Sequence, residues 1–405
     1  MQVGTGKTKL ISSMIKKLSQ NNHNKFKYKV VVIDPHAAME DDIGGLENTN
    51  VIDFKTDESS INLFANSSKD ILSSTESIIS IFKNIIADKY NSKLERVLRY
   101  SIHLLLENEE FNLVNLRKLL IEIEYRNKVI KKVEDSVQPN IIEFFRVDFN
   151  ELKAKSYQEA ISPIISFIDE MQLLPALNSV IQTKNIQEEI EQNFITILSL
   201  DQMTLGLNIT KTLSGFAMQQ ILQLVQAHTF NEHIILVIDE VSVIENPIIN
   251  RFLAEARKYN LSVILAGQYF EQISKNLQNA IFTNVINYFV FRVSRADAMI
   301  LEKNMQMEVA VRNAVSTRIK MLTELNDREC IARVGKDGRL LSAFKGKTLD
   351  FVPVSKKKIT ASKKKSSKTK SEEKKKTFSI ETKNTLKDMM LKQSASRKRV
   401  NFGNS

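Results

Sequence analysis

Residues 234–268, IILVIDEVSVIENPIINRFLAEARKYNLSVILAGQ, constrain the fold more than any other stretch. Residues 234–238 form a short, wholly apolar run closed by Asp239 and Glu240. Such a run is expected of a strand buried on both faces that delivers its polar end to a sheet edge. After Pro247 the spacing becomes helical, with Ile248, Ile249, Phe252, Leu253 and Ala256 on one side and Glu255, Lys258 and Asn260 on the other. Residues 261–266 predict the next buried strand, ending in Gly267 and Gln268.

A strand closed by Asp-Glu suits phosphate chemistry: the Asp holds a hydrated Mg²⁺ and the Glu polarises a water for attack on a γ-phosphate. Taken alone, such a pair more often caps a helix. The balance shifts at the other end of the chain. Residues 1–8, MQVGTGKT, place Gly4, Thr5, Gly6, Lys7 and Thr8 in the order of a phosphate-binding loop. In such a loop the glycines let backbone N–H groups approach the anion, the Lys reaches the β and γ phosphates, and the Thr hydroxyl binds Mg²⁺. Leu10, Ile11, Met14, Ile15 and Leu18 then make the apolar stripe of the helix that should follow. Counting back from Gly6, the motif's first Gly falls on Met1, and the strand that should lead into the loop is not in the sequence. The expectation is an artefactual truncation, since the rest of the loop and the downstream acids are intact.

The net charge of +11 would suggest nucleic-acid binding, but it is unevenly placed. Residues 355–405 hold 17 Lys or Arg and 4 Asp or Glu, net +13, leaving 41 and 43 in residues 1–354, net −2. The tail is low in complexity and is expected to be disordered, either holding a phosphate backbone non-specifically or simply solvated. Ile380, Leu386, Met389 and Met390 suggest a short docking helix within it. The single cysteine, Cys330, excludes a disulfide framework and reads as a buried structural thiol. No apolar run is long enough to span a membrane.

Further strands are predicted at 28–34, closed by Asp34, at 51–54 and at 194–198, with residues 61–64 extended. Between about 67 and 192 the period is helical and no strand is expected. A long helix is predicted over 203–227, helices near 270–279, 295–304 and 308–321, a strand at 285–292, and a hairpin of 329–334 with 340–344 turning at Lys336, Asp337 and Gly338. His36, after the second strand, reads as a loop residue. Strands alternating with helices indicate an α/β fold with a mainly parallel sheet.

The combination GTGKT, VVVIDPH with a following INLF, a large helical insertion, LVIDE, LAEARKYNLSVILAGQY and NVINYFVFRVSRADA resembles the HerA–FtsK superfamily of DNA-pumping ATPases, and within it type IV secretion coupling proteins and conjugation ATPases of the TraG type. The likeness covers residues 1 to about 350 and is most specific over 234–300. It implies a RecA-like P-loop domain in two parts, 1–66 and 193–350, around an all-α insertion, 67–192; the disordered basic tail, 351–405, has no counterpart in the family. It further implies ATP and Mg²⁺ as cofactors, with Gly4, Thr5, Gly6, Lys7 and Thr8 on the phosphates and Thr8 and Asp239 on the metal. Glu240 would be the catalytic base, Gln268 a polar sensor and Arg257 an arginine finger reaching a neighbouring subunit, with Arg292 and Arg295 as rivals. The implied assembly is a hexameric ring acting on DNA without sequence preference, with secretion-channel proteins as candidate partners. The implied place is the cytoplasm or the inner face of the cell membrane, membrane contact coming only through an upstream segment or partners. Two other readings stay open: a HerA-type helicase in DNA end processing, and a non-hydrolysing DNA-tethering subunit.

Overall fold

In the computed structural model, residues 6–20, 27–56, 61–62, 70–86, 89–177, 184–309, 314–336 and 339–354 are described. Gly4, Thr5, residues 63–64, the turn at Asp337 and Gly338, and residues 355–405 with their suggested helix lie outside them.

Five strands, β1 (Tyr28–Asp34), β2 (Thr49–Asp53), β3 (Ile195–Ser199), β4 (His233–Ile238) and β5 (Leu261–Leu265), pair in the order β2-β3-β1-β4-β5. All four pairings are parallel, with Val31 opposite Thr196 and Leu236, and Leu236 opposite Val263. The alternation of side chains along the strands divides the core in two. Val30, Val32, Ile195, Ile197, Ile235 and Val237 face a layer containing Ile11, Ile15, Met39 and Ile43. Those residues belong to the helices Lys7–Gln20 and Ala38–Ile43. Val31, Ile33, Leu198, Leu236 and Ile238 face the opposite way, into a cluster that runs continuously through helix Leu207–Gln226 into the helical region.

That helical region includes Ile71–Ile85, Ser92–Glu107, Leu113–Ile121, Ile123–Val133 and Ser162–Met171. Asp70, Asn91 and Asn112 accept from backbone N–H groups at three of the N-termini, satisfying donors that a helix leaves unpaired. The rings of Phe82, Phe167 and Phe216 join this region to helix Leu207–Gln226, with centroids 5.3 to 6.4 Å apart. Arg126, buried, donates to the carbonyl of Leu119 at 2.9 Å and lies 4.7 Å from the ring of Phe149.

A second sheet has the order β8-β7-β6, formed by β6 (Tyr288–Val290), β7 (Glu329–Arg333) and β8 (Phe344–Lys347). Its pairings are antiparallel.

Several elements differ from expectation. The helix predicted over 203–227 is broken: Gln202–Leu205 is separated from Leu207–Gln226 by Gly206 at φ 83°, a value only glycine adopts without strain. The partner of β7 is Phe344–Lys347 rather than 340–344, because Gly335–Lys336 and Arg339–Leu340 form their own small ladder. A two-residue strand, Lys184–Asn185, pairs with Ile61–Asn62 inside the stretch read as purely helical. It is too short to show a period of two.

Residues 351–354 run back across the helix Lys7–Gln20. The Phe351 ring lies 5.6 and 5.4 Å from the Nζ atoms of Lys9 and Lys16, and Lys16 Nζ donates to the Val352 carbonyl at 3.3 Å. Val354 N–H donates to the Asp42 carbonyl and Gly45 N–H to the Val354 carbonyl, each at 2.7 Å.

Because Phe216 sits where the helical region meets the sheet layer, Phe216→Ala is expected to cost about 3–5 kcal/mol of unfolding free energy. Urea unfolding followed by circular dichroism measures this. A loss below about 1 kcal/mol would contradict the shared core.

Candidate nucleotide site

Parallel pairing brings the carboxyl ends of β3, β1, β4 and β5 to one edge, where Ser199, Asp34, Asp239 and Gly267 follow one another in space. Ligands of open parallel sheets bind along this edge. Helix Lys7–Gln20 starts there. Gly6 stands at φ 106°, and its carbonyl accepts from Leu10 N–H at 2.9 Å, opening the helix. Ser12 Oγ donates to Asp42 at 3.1 Å and Lys9 pairs with the same carboxylate, fixing the helix against Ala38–Ile43.

Thr8 Oγ1 donates to Asp239 Oδ2 at 3.3 Å, joining residues 231 positions apart. Two ligands at about 2.0–2.1 Å and at right angles on one Mg²⁺ stand about 2.9 Å apart, so this spacing fits a shared ion with little movement. Mg²⁺ takes only one or two protein oxygens when waters and phosphates supply the rest. The donor set therefore suits that ion, and no cluster of three or more His, Cys, Asp or Glu groups able to hold a metal exists among the described residues. Burial raises the Asp239 carboxyl above its ordinary value, and the charge of Glu240 adds to the rise. Lys7 is lowered by burial, while Glu240, Asp239 and Asp297 pull it the other way.

Glu240 occupies the left-handed region at φ 48°, a conformation costing a non-glycine residue of order 1 kcal/mol. The turn folds its side chain back. Oε1 accepts from Gln268 N–H at 2.8 Å and from Ser242 Oγ at 3.2 Å, leaving Oε2 for another partner. Beyond the ladder, Val241 N–H donates to the Ala266 carbonyl at 2.7 Å, and a Cβ on Gly267 would stand 3.2 Å from Val241 Cγ1. A side chain at 267 would require that methyl to give by a few tenths of an ångström.

The chain does not bring Arg257 to these carboxylates. It is exposed in the turn Ala256–Lys258, ahead of the amino end of β5, while Gln268 follows the carboxyl end. The five residues of β5 between them span roughly 16 Å. Arg292 donates to Asp327 at 3.1 Å, Arg295 is exposed, and so is His36.

Two residues that the sequence pattern did not place at the site stand beside it. Asp34 closes β1 next to Asp239 and accepts from Met39 N–H at 2.8 Å, Glu40 N–H at 3.1 Å and His36 N–H at 3.3 Å. Its signal, an apolar run closed by an acid, was the one that marked Asp239. Asp297 acts on Lys7 through space and accepts from Glu271 N–H at 2.8 Å. Only the spacing of a helix cap, Ser294 to Asp297, announced it.

A profile of the family described as type IV secretion-system coupling protein DNA-binding domain matches residues 2–305. The chain belongs to this family. Among solved structures it is similar to the plasmid coupling protein TrwB in complex with a non-hydrolysable GTP analogue, with TM-score 0.61, 14% identity, and coverage of 88% of this chain and 86% of that one. TrwB in complex with ADP and Mg²⁺ gives TM-score 0.56, 13% identity, and coverage of 88% and 84%. VirB4 of Thermoanaerobacter pseudethanolicus gives TM-score 0.51, 15% identity, and coverage of 86% and 87%. These likenesses show that the coupling-protein domain has the RecA-like α/β fold expected from its sequence. No curated protein sequence matches. No described helix is long and apolar enough to cross a membrane.

Burial pushes the Asp34 carboxyl up from 3.8 to about 6, with the charge of Asp239 adding to the rise and the N–H donors opposing it. Its folded value lies above its unfolded one, so the group favours folding only while protonated, and that advantage is lost as pH climbs from about 4 to about 6. In EDTA, the stability of Asp34→Asn relative to the parent is therefore expected to rise by about 2 kcal/mol between pH 4 and pH 6.5. Urea unfolding across that range tests it, and a flat difference would contradict the assignment.

Proposed function

We propose that this coupling-protein domain is an ATP-driven motor subunit that moves DNA in a conjugation or type IV secretion system. The carrying observation is the Thr8–Asp239 hydrogen bond, which puts the start of the phosphate-loop helix and the acid-bearing strand on one edge. The DNA-binding description of the family supports DNA as the substrate moved. TrwB structures with nucleotide analogues, and one with ADP and Mg²⁺, support ATP and Mg²⁺ as the cofactors.

In this reading Gly6, Lys7 and Thr8, with Gly4 and Thr5, hold the phosphates. Lys7, lowered by burial, regains its preference for charge when phosphate oxygens arrive. Thr8 and Asp239 hold Mg²⁺, which neutralises charge on the β and γ phosphates. Glu240 uses Oε2 to orient and deprotonate the attacking water while its Oε1 stays fixed by Gln268 N–H and Ser242. Gln268 thereby links the γ-phosphate side of the site to β5 and the helix beyond it. Arg257 is too far from its own chain's carboxylates, which supports a role at the site of a neighbouring subunit in a ring. Secretion-channel proteins are the proposed partners of that ring.

Glu240→Gln is expected to lower DNA-stimulated ATP hydrolysis by about a hundredfold or more while leaving nucleotide binding intact. Lys7→Ala should abolish binding as well. Equal hydrolysis by parent and Glu240→Gln would overturn the proposal.

Arg257→Ala should also be nearly inactive, since a finger is worth about 10³-fold or more. Mixing Arg257→Ala with Glu240→Gln should restore part of the activity, because a mixed ring pairs an intact Glu240 with a neighbour's Arg257. Strict additivity of the two inactive preparations would rule out a finger acting between subunits.

A further inference from the structure

The segment between helix Leu207–Gln226 and β4 lies against the turn that presents Arg257, and three side chains of residues 226–233 clasp it. Gln226 Nε2 donates to Glu255 Oε2 at 2.9 Å. The His228 ring stands 5.9 Å, centroid to centroid, from the ring of Tyr259. His233, the first residue of β4, has Nδ1 2.7 Å from Asn260 Oδ1 and Nε2 2.8 Å from Ser262 Oγ. A neutral imidazole satisfies both partners at once, donating from Nδ1 and accepting from the Ser262 hydroxyl at Nε2.

The turn needs such holding. Ala256–Lys258 is a short 3₁₀ turn, closed by the bond from Tyr259 N–H to the Ala256 carbonyl at 3.1 Å. Asn260 then takes the left-handed region at φ 53°, a conformation that persists only where the surroundings fix it. Here both halves of the residue are fixed to the start of β4: the side chain by His233, and the carbonyl by Ile234 N–H at 3.0 Å.

Arg257 itself is exposed, and among the described residues its guanidinium has no hydrogen bond or ion pair. Glu255, two positions away, is occupied by Gln226 and by Arg251 at 3.9 Å. An arginine kept out of local ion pairs, on a turn fixed at its far end, is preorganised for an anion that comes from outside the subunit. His233 does not serve its own chain's carboxylates. Six residue steps along β4 separate it from Asp239, about 20 Å of extended chain.

We infer that His233 is the positioning residue of the arginine finger: through Asn260 it fixes the turn of residues 256–260 and so holds Arg257 for the nucleotide site of the neighbouring subunit. The inference rests on the finger proposed above. Because His233 also opens the strand that ends at Asp239 and Glu240, the same contact sets the finger's place relative to the acids of its own chain.

The test compares the 405-residue chain with His233→Ala and His233→Asn. The amide nitrogen of an asparagine takes the place of Nδ1 and still donates to Asn260. His233→Ala is expected to lower DNA-stimulated hydrolysis at saturating ATP about tenfold, with unchanged affinity for a fluorescent ADP analogue, and His233→Asn to recover most of the rate. Mixing His233→Ala with Glu240→Gln should restore part of the activity, since a mixed ring pairs the first chain's Glu240 with the second chain's well-held Arg257. A histidine that merely supported its own strand would give no such restoration. Hydrogen exchange across residues 256–260 should quicken about tenfold or more in His233→Ala, while that of residues 236–239 stays unchanged.

A parent-like rate in His233→Ala, a lost rate that mixing does not restore, or equal exchange across 256–260 would each overturn the inference, and an inactive Arg257→Ala beside any of them would leave the finger standing. Arg257→Ala at the parent's rate would overturn the finger, and the role of His233 with it. Exchange is read without ATP hydrolysis, so it decides the contact even if the parent proves inactive, a result that would count against the motor reading instead.

Discussion

Three carboxylates, Asp34, Asp239 and Glu240, are held almost out of water on one sheet edge, and like charges brought together at low dielectric repel more strongly than in solvent. The parallel pairing of β1 with β4 imposes this crowding, because it aligns the ends of both strands. The fold answers with donors rather than with ion pairs. Asp34 takes three backbone N–H groups, Asp239 takes Thr8 and the Glu240 N–H, and Glu240 takes Gln268 and Ser242. Each bond stabilises charge without supplying a counter-charge. The nearby Lys7, lowered by burial, is drawn back towards its charged form by Glu240 and Asp239.

Much of this was legible in the sequence, for a simple reason. A strand covered on both faces must be apolar along its whole length, so its polar end stands out, as Asp34 after KVVVI and Asp239 after IILVI do. The helix Lys7–Gln20 was visible by its period, and Ile11 and Ile15 of its apolar stripe are buried, with Ser12 beside them, while Met14 of the same stripe is exposed. What escaped was set by contacts between distant segments. The left-handed turn at Glu240, which presents its carboxylate to the Gln268 backbone, has no local signature, since nothing in Asp-Glu-Val-Ser demands positive φ. Asp297 reaches Lys7 only through the fold. The true partner of β7 was missed because Gly335 and Lys336 pair with Arg339 and Leu340 first, shifting the ladder by several residues.

The helical region and the sheet bury a common set of side chains, with Phe82 and Phe167 on one side of the junction and Phe216 on the other. Since helix Leu207–Gln226 leads directly towards β4, a shift of the helical region is transmitted by packing to the strand that carries Asp239 and Glu240. Close-packed interiors pass on such displacements rather than absorb them.

The strap at residues 351–354 has a mechanical consequence. It is the last described segment before the basic tail, and it is fastened to the helix bearing Thr8 and to the helix that Asp34 caps. Tension on the tail would be transmitted first to those two helices, ahead of the sheet itself. Lys9 and Lys16, on either side of the Phe351 ring, make the helix Lys7–Gln20 the first element to take such a load.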